Sequence, residues 1–136
     1  MKSLKPLPMP PFNRHLGFEV TKWCQGHIVI TAQIKPEHHN HSSLPHGGFI
    51  ATLLDAAMAM PGVYSDIPGK IRCALTLSMN INFLGQAAGD RLKAVGKVTA
   101  SGRKIYYSAA NVYDLKGTLV ASGQGVFRYR TGSETS

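Results

Sequence analysis

His46-Gly47-Gly48-Phe49-Ile50-Ala51-Thr52-Leu53-Leu54-Asp55-Ala56-Ala57-Met58-Ala59-Met60 is the only long segment of the chain with a helical pattern. Phe49, Ile50, Leu53, Leu54, Ala57 and Met58 recur at the spacing of one broad apolar stripe. Nearly everything around the stripe is apolar too, which predicts a helix buried in a core. Two features run against simple burial. The segment opens with two glycines, which are poor helix formers, and carries one carboxylate, Asp55, among apolar neighbours. Their coincidence in one helix marks it as a candidate site.

Outward from this segment the periodicity changes from helical to alternating. Before it, Phe18 to Cys24 and His27 to Lys35 predict two strands around a tight Gln25-Gly26 turn, preceded by a short helical turn at Phe12 to Leu16. The polar loop Pro36 to Pro45 leads into the helix, and Pro61-Gly62 weakens or ends it. After it, Arg72–Leu84, Asp90–Ala100, Arg103–Asp114 and Thr118–Arg130 read as strands separated by turn signals. In the first of these, Cys73, Leu75, Leu77, Met79, Ile81 and Phe83 alternate with Thr76, Ser78, Asn80 and Asn82. In the second, Leu92, Ala94, Gly96, Val98 and Ala100 share a face. Hairpin-length turns imply an antiparallel sheet, and a lone apolar helix needs that sheet curved around it. The fold class expected is α+β, about six strands around one central helix, as a single domain over 1–136. Residues 1–11 form an irregular lead-in and 131–136 a loose tail.

Composition narrows the function. A chain of 136 residues, 43% apolar and 16% charged, is long enough to bury a core and is not disordered. No apolar run approaches the roughly 20 residues of a membrane span. Four prolines interrupt Met1 to Phe12, which lacks the apolar core of a secretion signal, so a cytoplasmic protein is expected. Cys24 and Cys73 have no zinc spacing and are expected to be reduced core thiols. Fifteen Lys and Arg against seven Asp and Glu give a net charge of +8, which favours anionic partners or simply solubility. No basic run of nucleic-acid type appears, so no nucleic-acid partner is expected. His38, His39, His41 and His46 invite a metal reading. Apart from Glu37, no carboxylate or cysteine accompanies them at ligand spacing, so no metal is expected.

A specific resemblance rests on Phe12-Asn13-Arg14-His15-Leu16-Gly17, Asn40, His46-Gly47-Gly48, Asp55, Met79 to Leu84, Gly89-Asp90, Ser101-Gly102-Arg103 and Gly117 to Ala121. With these residues in this strand order, the chain resembles the hotdog-fold acyl-CoA thioesterases of the phenylacetate-pathway (PaaI-like) group, over roughly Phe12 to Arg130. Pro61 departs from the pattern, within what is usually continuous helix. The resemblance implies a curved sheet around a central helix and hydrolysis of an acyl-CoA thioester, with no cofactor. It further implies a homodimer with shared sites, commonly paired into a tetramer. Residue by residue, it makes Gly47 or Gly48 the donor to the thioester oxygen and Asp55 the nucleophile or general base. Asn40 and Thr76 would lie near the thioester or the water, and His46 would support the site. Arg103 and Lys104 lie where relatives meet the nucleotide end of coenzyme A.

The chemistry of these residues agrees, although each has a plainer alternative. A helix N-terminus offers unpaired N–H groups with partial positive charge, and glycines let a substrate approach them. A thioester oxygen bound there would be polarised as it gains charge, but Gly-Gly equally permits a tight loop-to-helix turn. Asn40 is also a common turn residue, Thr76 a common surface strand residue, and Asp55 alone a common helix-face residue. Geometry adds a constraint. Gly47 and Asp55 are eight residues apart, about 12 Å along a helix, whereas attack and polarisation must meet at one carbonyl within about 3–3.5 Å. One helix cannot serve one substrate with both; two antiparallel copies can, in a two-fold dimer. The alternative function is a hotdog protein that binds acyl-CoA or a related ligand without turnover. A dehydratase is disfavoured because the Asn, His-Gly-Gly and Asp pattern resembles the hydrolases. Ala56, Ala57, Met58 and Met60 are expected to border the acyl pocket.

Overall fold

The computed structural model describes residues 9–67, 70 and 72–133. A short helix α1 (Pro11–His15) begins on a proline, which loses nothing at a first helical turn, and Gly17 follows it at φ +80°. Strands β1 (Phe18–Cys24) and β2 (His27–Gln33) follow, then the loop containing a 3-10 turn at Pro36–His38. Helix α2 runs over Gly47–Ala59 and tightens into a 3-10 turn, Met60–Val63, where Pro61 enters. The chain finishes with β3 (Ala74–Phe83), β4 (Arg91–Ser101), β5 (Ile105–Asp114) and β6 (Leu119–Tyr129).

The six strands form one sheet in the order β1-β2-β4-β5-β6-β3, every neighbouring pair antiparallel. β3 and β4 are consecutive in sequence but not neighbours; β3 crosses to the far edge and pairs with β6. The sheet's inner face carries Ile28, Ile30, Leu92, Ala94, Val112 and Phe127, all buried against α2. From α2, the predicted stripe of Phe49, Ile50, Leu53, Leu54, Ala57 and Met58 meets them. Each of the larger of these side chains, from Val to Phe and Met, contributes roughly 1.5–3 kcal/mol on burial, so this layer dominates the stability of the fold. Helix and sheet approach closely at Gly96, where any Cβ would collide with the Ala57 carbonyl. The architecture is the curved antiparallel sheet around one helix that the sequence predicts.

Three expectations need correction. The alternation in β3 is broken by a bulge between Thr76, opposite Phe127, and Ser78, opposite Val126. Leu77 is the extra residue, and it moves Thr76 onto the inner face with Met79, Ile81 and Phe83. A second bulge between Val98 and Ala100 sets Ala100 opposite Tyr107, so Ala100 leaves the inner face shared by Leu92, Ala94, Gly96 and Val98. Cys24, at the end of an edge strand, is exposed and no core thiol; it and the partly buried Cys73 are both free.

Candidate active site

The face of α2 that does not enter the core carries Ala51, Thr52 and Asp55, at i, i+1 and i+4 on one side of the helix. The β3 bulge brings Thr76 to the same place, where its hydroxyl Oγ1 donates to Asp55 Oδ1 at 2.7 Å. Asp55 Oδ2 has no hydrogen-bond donor among the described residues. The pair sits in an open concavity of about 290 Å³ lined by Phe12, Asn13, Ala51, Thr52, Asp55, Thr76 and Met79. The Phe12 ring is 60% exposed and contributes nothing to the core, so α1 presents it at the rim of this cleft. The Thr52 hydroxyl is occupied on its own helix, donating to the Gly48 carbonyl at 2.8 Å. Thr76 therefore orients the carboxylate from outside the helix. Thr76→Val, which keeps the shape and removes the donor, is expected to lower any turnover that depends on Asp55 by roughly ten- to hundredfold, a net loss of one hydrogen bond to a charged group. Thr76→Ser should retain most of the rate, and comparison of kcat for the two variants checks this.

A second cluster occupies the other end of α2. His46 is the N-cap in extended conformation, and its Nδ1 accepts from the Gly48 N–H at 2.8 Å. The His46 carbonyl accepts from the Phe49 and Ile50 amides at 2.9 and 3.2 Å. Gly48 is thus already engaged within the chain, whereas the Gly47 N–H has no acceptor among the described residues. A Cβ at Gly47 would make only ordinary contact with the Phe83 ring, at 3.6 Å, so crowding inside the chain does not require that glycine. Asn40 holds the preceding loop: its Oδ1 accepts from the Ser42 and Leu44 amides at 2.9 and 3.2 Å, as a turn-forming Asn would. Its side-chain N–H groups have no acceptor among the described residues.

The structure therefore joins Asp55 with Thr76 and sets His46, Gly47 and Gly48 toward the other end of the helix, about 12 Å along its axis, while the contacts of Asn40 stay within the loop before it. Arg103 and Lys104 are exposed in the β4–β5 turn and line neither cluster. Ala56, Ala57, Met58 and Met60 do not border the cleft; all four are buried on the core side of α2. The lining residues that sequence reasoning missed are Phe12, Asn13, Ala51, Thr52 and Met79. Ala51 and Thr52 had a usable signal, since they precede Asp55 by one helical turn. Among the described residues no group of three or more His, Cys, Asp or Glu side chains is placed to hold a metal ion. No described helix is long and apolar enough to cross a membrane.

Comparison with known proteins bears on the family and the fold. Residues 44–121, which span the Gly-Gly helix and most of the strands after it, match the model of the thioesterase superfamily. A Pseudomonas aeruginosa protein provisionally named an esterase is 30% identical over 105 residues, covering 76% of each chain. The Escherichia coli medium/long-chain acyl-CoA thioesterase YigI is 23% identical, over 86% of this chain and 84% of its own. The fold superposes on that of the Escherichia coli PaaI protein with a TM-score of 0.82, at 22% identity and over 91% and 87% of the two chains. By its fold, and by the family match across more than half its length, the chain is a hotdog-fold member of the thioesterase superfamily.

Proposed function

We propose that this thioesterase hydrolyses acyl-CoA thioesters to the free acid and coenzyme A, at sites shared between two copies of the chain. The observation that carries this reading is the Asp55–Thr76 pair facing an open cleft, with one carboxylate oxygen held and the other without a donor among the described residues. The likeness to an acyl-CoA thioesterase, YigI, supports the choice of thioester. In the proposed site the Gly47 N–H of one copy donates to the thioester oxygen, where negative charge builds as the carbonyl carbon becomes tetrahedral. Asp55 of the other copy then acts in one of two ways. As nucleophile it bonds to the carbonyl carbon and expels coenzyme A as the thiolate, leaving a mixed anhydride that water cleaves. As general base it takes a proton from the water that attacks the same carbon, and the tetrahedral intermediate collapses with cleavage of the C–S bond and departure of coenzyme A as the thiolate.

His46 keeps its supporting role in this reading by fixing Gly48 and hence the first turn of the helix. Asn40 positions the thioester or the water through its free amide hydrogens. Arg103 and Lys104 meet the phosphates of coenzyme A, which gives part of the net charge of +8 a partner. Among the described residues the outer edge of β3 has no strand partner, and it exposes Leu75, Leu77 and Phe83, which suits a second copy there. Dimers of this kind would pair further into tetramers, in the cytoplasm.

A panel of aryl, short, medium and long acyl-CoAs, followed by free-thiol release, tests the function. Turnover of at least one class at a kcat/KM of about 10⁴ M⁻¹s⁻¹ or above is expected for a physiological substrate. Tight calorimetric binding with no hydrolysis of any class would instead establish a ligand-binding protein. A strictly monomeric species that hydrolyses acyl-CoA would remove the shared site.

A further inference from the structure

Among the histidines of the loop before α2, His38 is the one set deepest, at 7% exposure. It contacts three separate parts of the loop and helix. Its Nδ1 accepts from the backbone N–H of Lys35 at 3.0 Å, and its own N–H donates to the Lys35 carbonyl at 2.9 Å. Its carbonyl accepts from the His46 N–H at 2.8 Å. Its ring stacks on Phe49 in the first turn of α2, with centroids 4.3 Å apart and planes 18° from parallel, and Phe49 is itself packed edge-on to Phe18. One residue thus ties the entry of the loop, its exit and the start of the helix.

We propose that His38 is a positioning residue whose neutral imidazole clamps the loop onto α2 and thereby sets the direction of the Gly47 N–H. The consequence for turnover rests on the thioesterase reading above; the clamp itself does not. The geometry requires the neutral ring. A protonated imidazole donates from both nitrogens, so Nδ1 would then turn a hydrogen toward the Lys35 N–H instead of accepting from it. The charged ring would also be held in a largely buried position against Phe49. Burial is the main cause that lowers the His38 pKa from the ordinary 6.5. Lys35, His15 and His39 push in the same direction, and Glu37 alone opposes them. For a base favoured neutral in the folded state, the unfolded chain binds the proton more readily. The stabilisation is therefore complete above the ordinary value and is lost as pH falls from there through the folded one.

The test uses the full chain with His38→Ala and His38→Asn, because an Asn side-chain oxygen can take the place of Nδ1 but does not titrate. Amide-exchange protection of Lys35 and His46 is measured at about pH 8 and about pH 5.5, beside kcat and KM on the best acyl-CoA of the panel. In His38→Ala, protection of both amides should drop at least about tenfold. Its kcat should fall roughly tenfold to hundredfold while KM stays within about twofold, as for a misplaced donor that acts in the transition state. His38→Asn should recover most of both at the higher pH and lack the extra loss that wild type shows at the lower one. Unchanged protection in a folded His38→Ala, or a wild-type acid loss in His38→Asn, overturns the proposal. If His38→Ala does not fold, the His38→Asn comparison decides alone. If wild type hydrolyses nothing, the thioesterase reading falls while the exchange results still judge the clamp.

Discussion

Asp55→Asn should reduce acyl-CoA hydrolysis by roughly 10²–10⁴-fold, the range expected when a positioned general base is lost, and a lost nucleophile should cost no less. The substitution is chosen for what it keeps. The amide has the shape of the carboxylate, and its oxygen can still accept from the Thr76 hydroxyl, which lies 2.7 Å from Asp55 Oδ1. What disappears is the negative charge at the oxygen that has no donor among the described residues. The thermal midpoint should move by no more than a few degrees, because the side chain faces an open cleft and not the core. Free-thiol release by the purified variant at rates near wild type would end the assignment of Asp55 to the chemistry.

Gly47→Pro should cost about 10²–10³-fold in kcat, the loss measured when one oxyanion donor is removed elsewhere. Proline normally breaks helices, but Gly47 is the first residue of α2, where proline is favoured because that N–H has no helical partner. His46 before it is already extended, at φ −61° and ψ 140°, the conformation a residue preceding proline adopts. A Cβ at this position meets only the Phe83 ring at ordinary distance. The substitution therefore deletes one hydrogen and little else, and circular dichroism should show the helix intact. Wild-type kcat in a folded Gly47→Pro would shift the donor elsewhere. The two variants together also test the shared site. Mixed after subunit exchange, Asp55→Asn and Gly47→Pro should regain about a quarter of wild-type activity, since half of the dimers are mixed and each has one intact site. A site built within one chain would regain nothing.

The layered part of this fold was readable because it is periodic. The stripe from Phe49 to Met58 and the alternation of Ile28, Ile30 and Ala32 repeat at helix and strand spacing, and burial followed them. What escaped was set by counting errors within a period. One extra residue at Leu77 turned Thr76 inward, and another near Thr99 turned Ala100 outward; no residue type announced either. The strand order was likewise open, because a connection of seven residues between β3 and β4 does not tell which edge β3 will join. At the candidate site, residue chemistry singled out Asp55 and the glycines. The division of labour between Gly47 and Gly48 needed coordinates, since it depends on where one His46 nitrogen points. Phe12 and Asn13 reach the cleft from a helix 40 residues upstream of Thr52, which a local pattern does not reveal.

The bulge in β3 makes the cleft depend on how the strand pairs as well as on residue identity. Leu77 itself does not line the cleft, and replacing it with another side chain leaves the number of residues between Thr76 and Ser78 unchanged. Removing it leaves an unbroken alternation in which Thr76 and Met79, then two residues apart, still share the inner face. A single-codon deletion there should therefore keep Thr76 beside Asp55, whereas an unbroken β3–β6 ladder with Leu77 retained would turn Thr76 away from Asp55 with every residue of the cleft still present. In a lineage of such chains, one that is a residue shorter at this point would present the same inward face, and an alignment matches the two only by leaving a gap at Leu77.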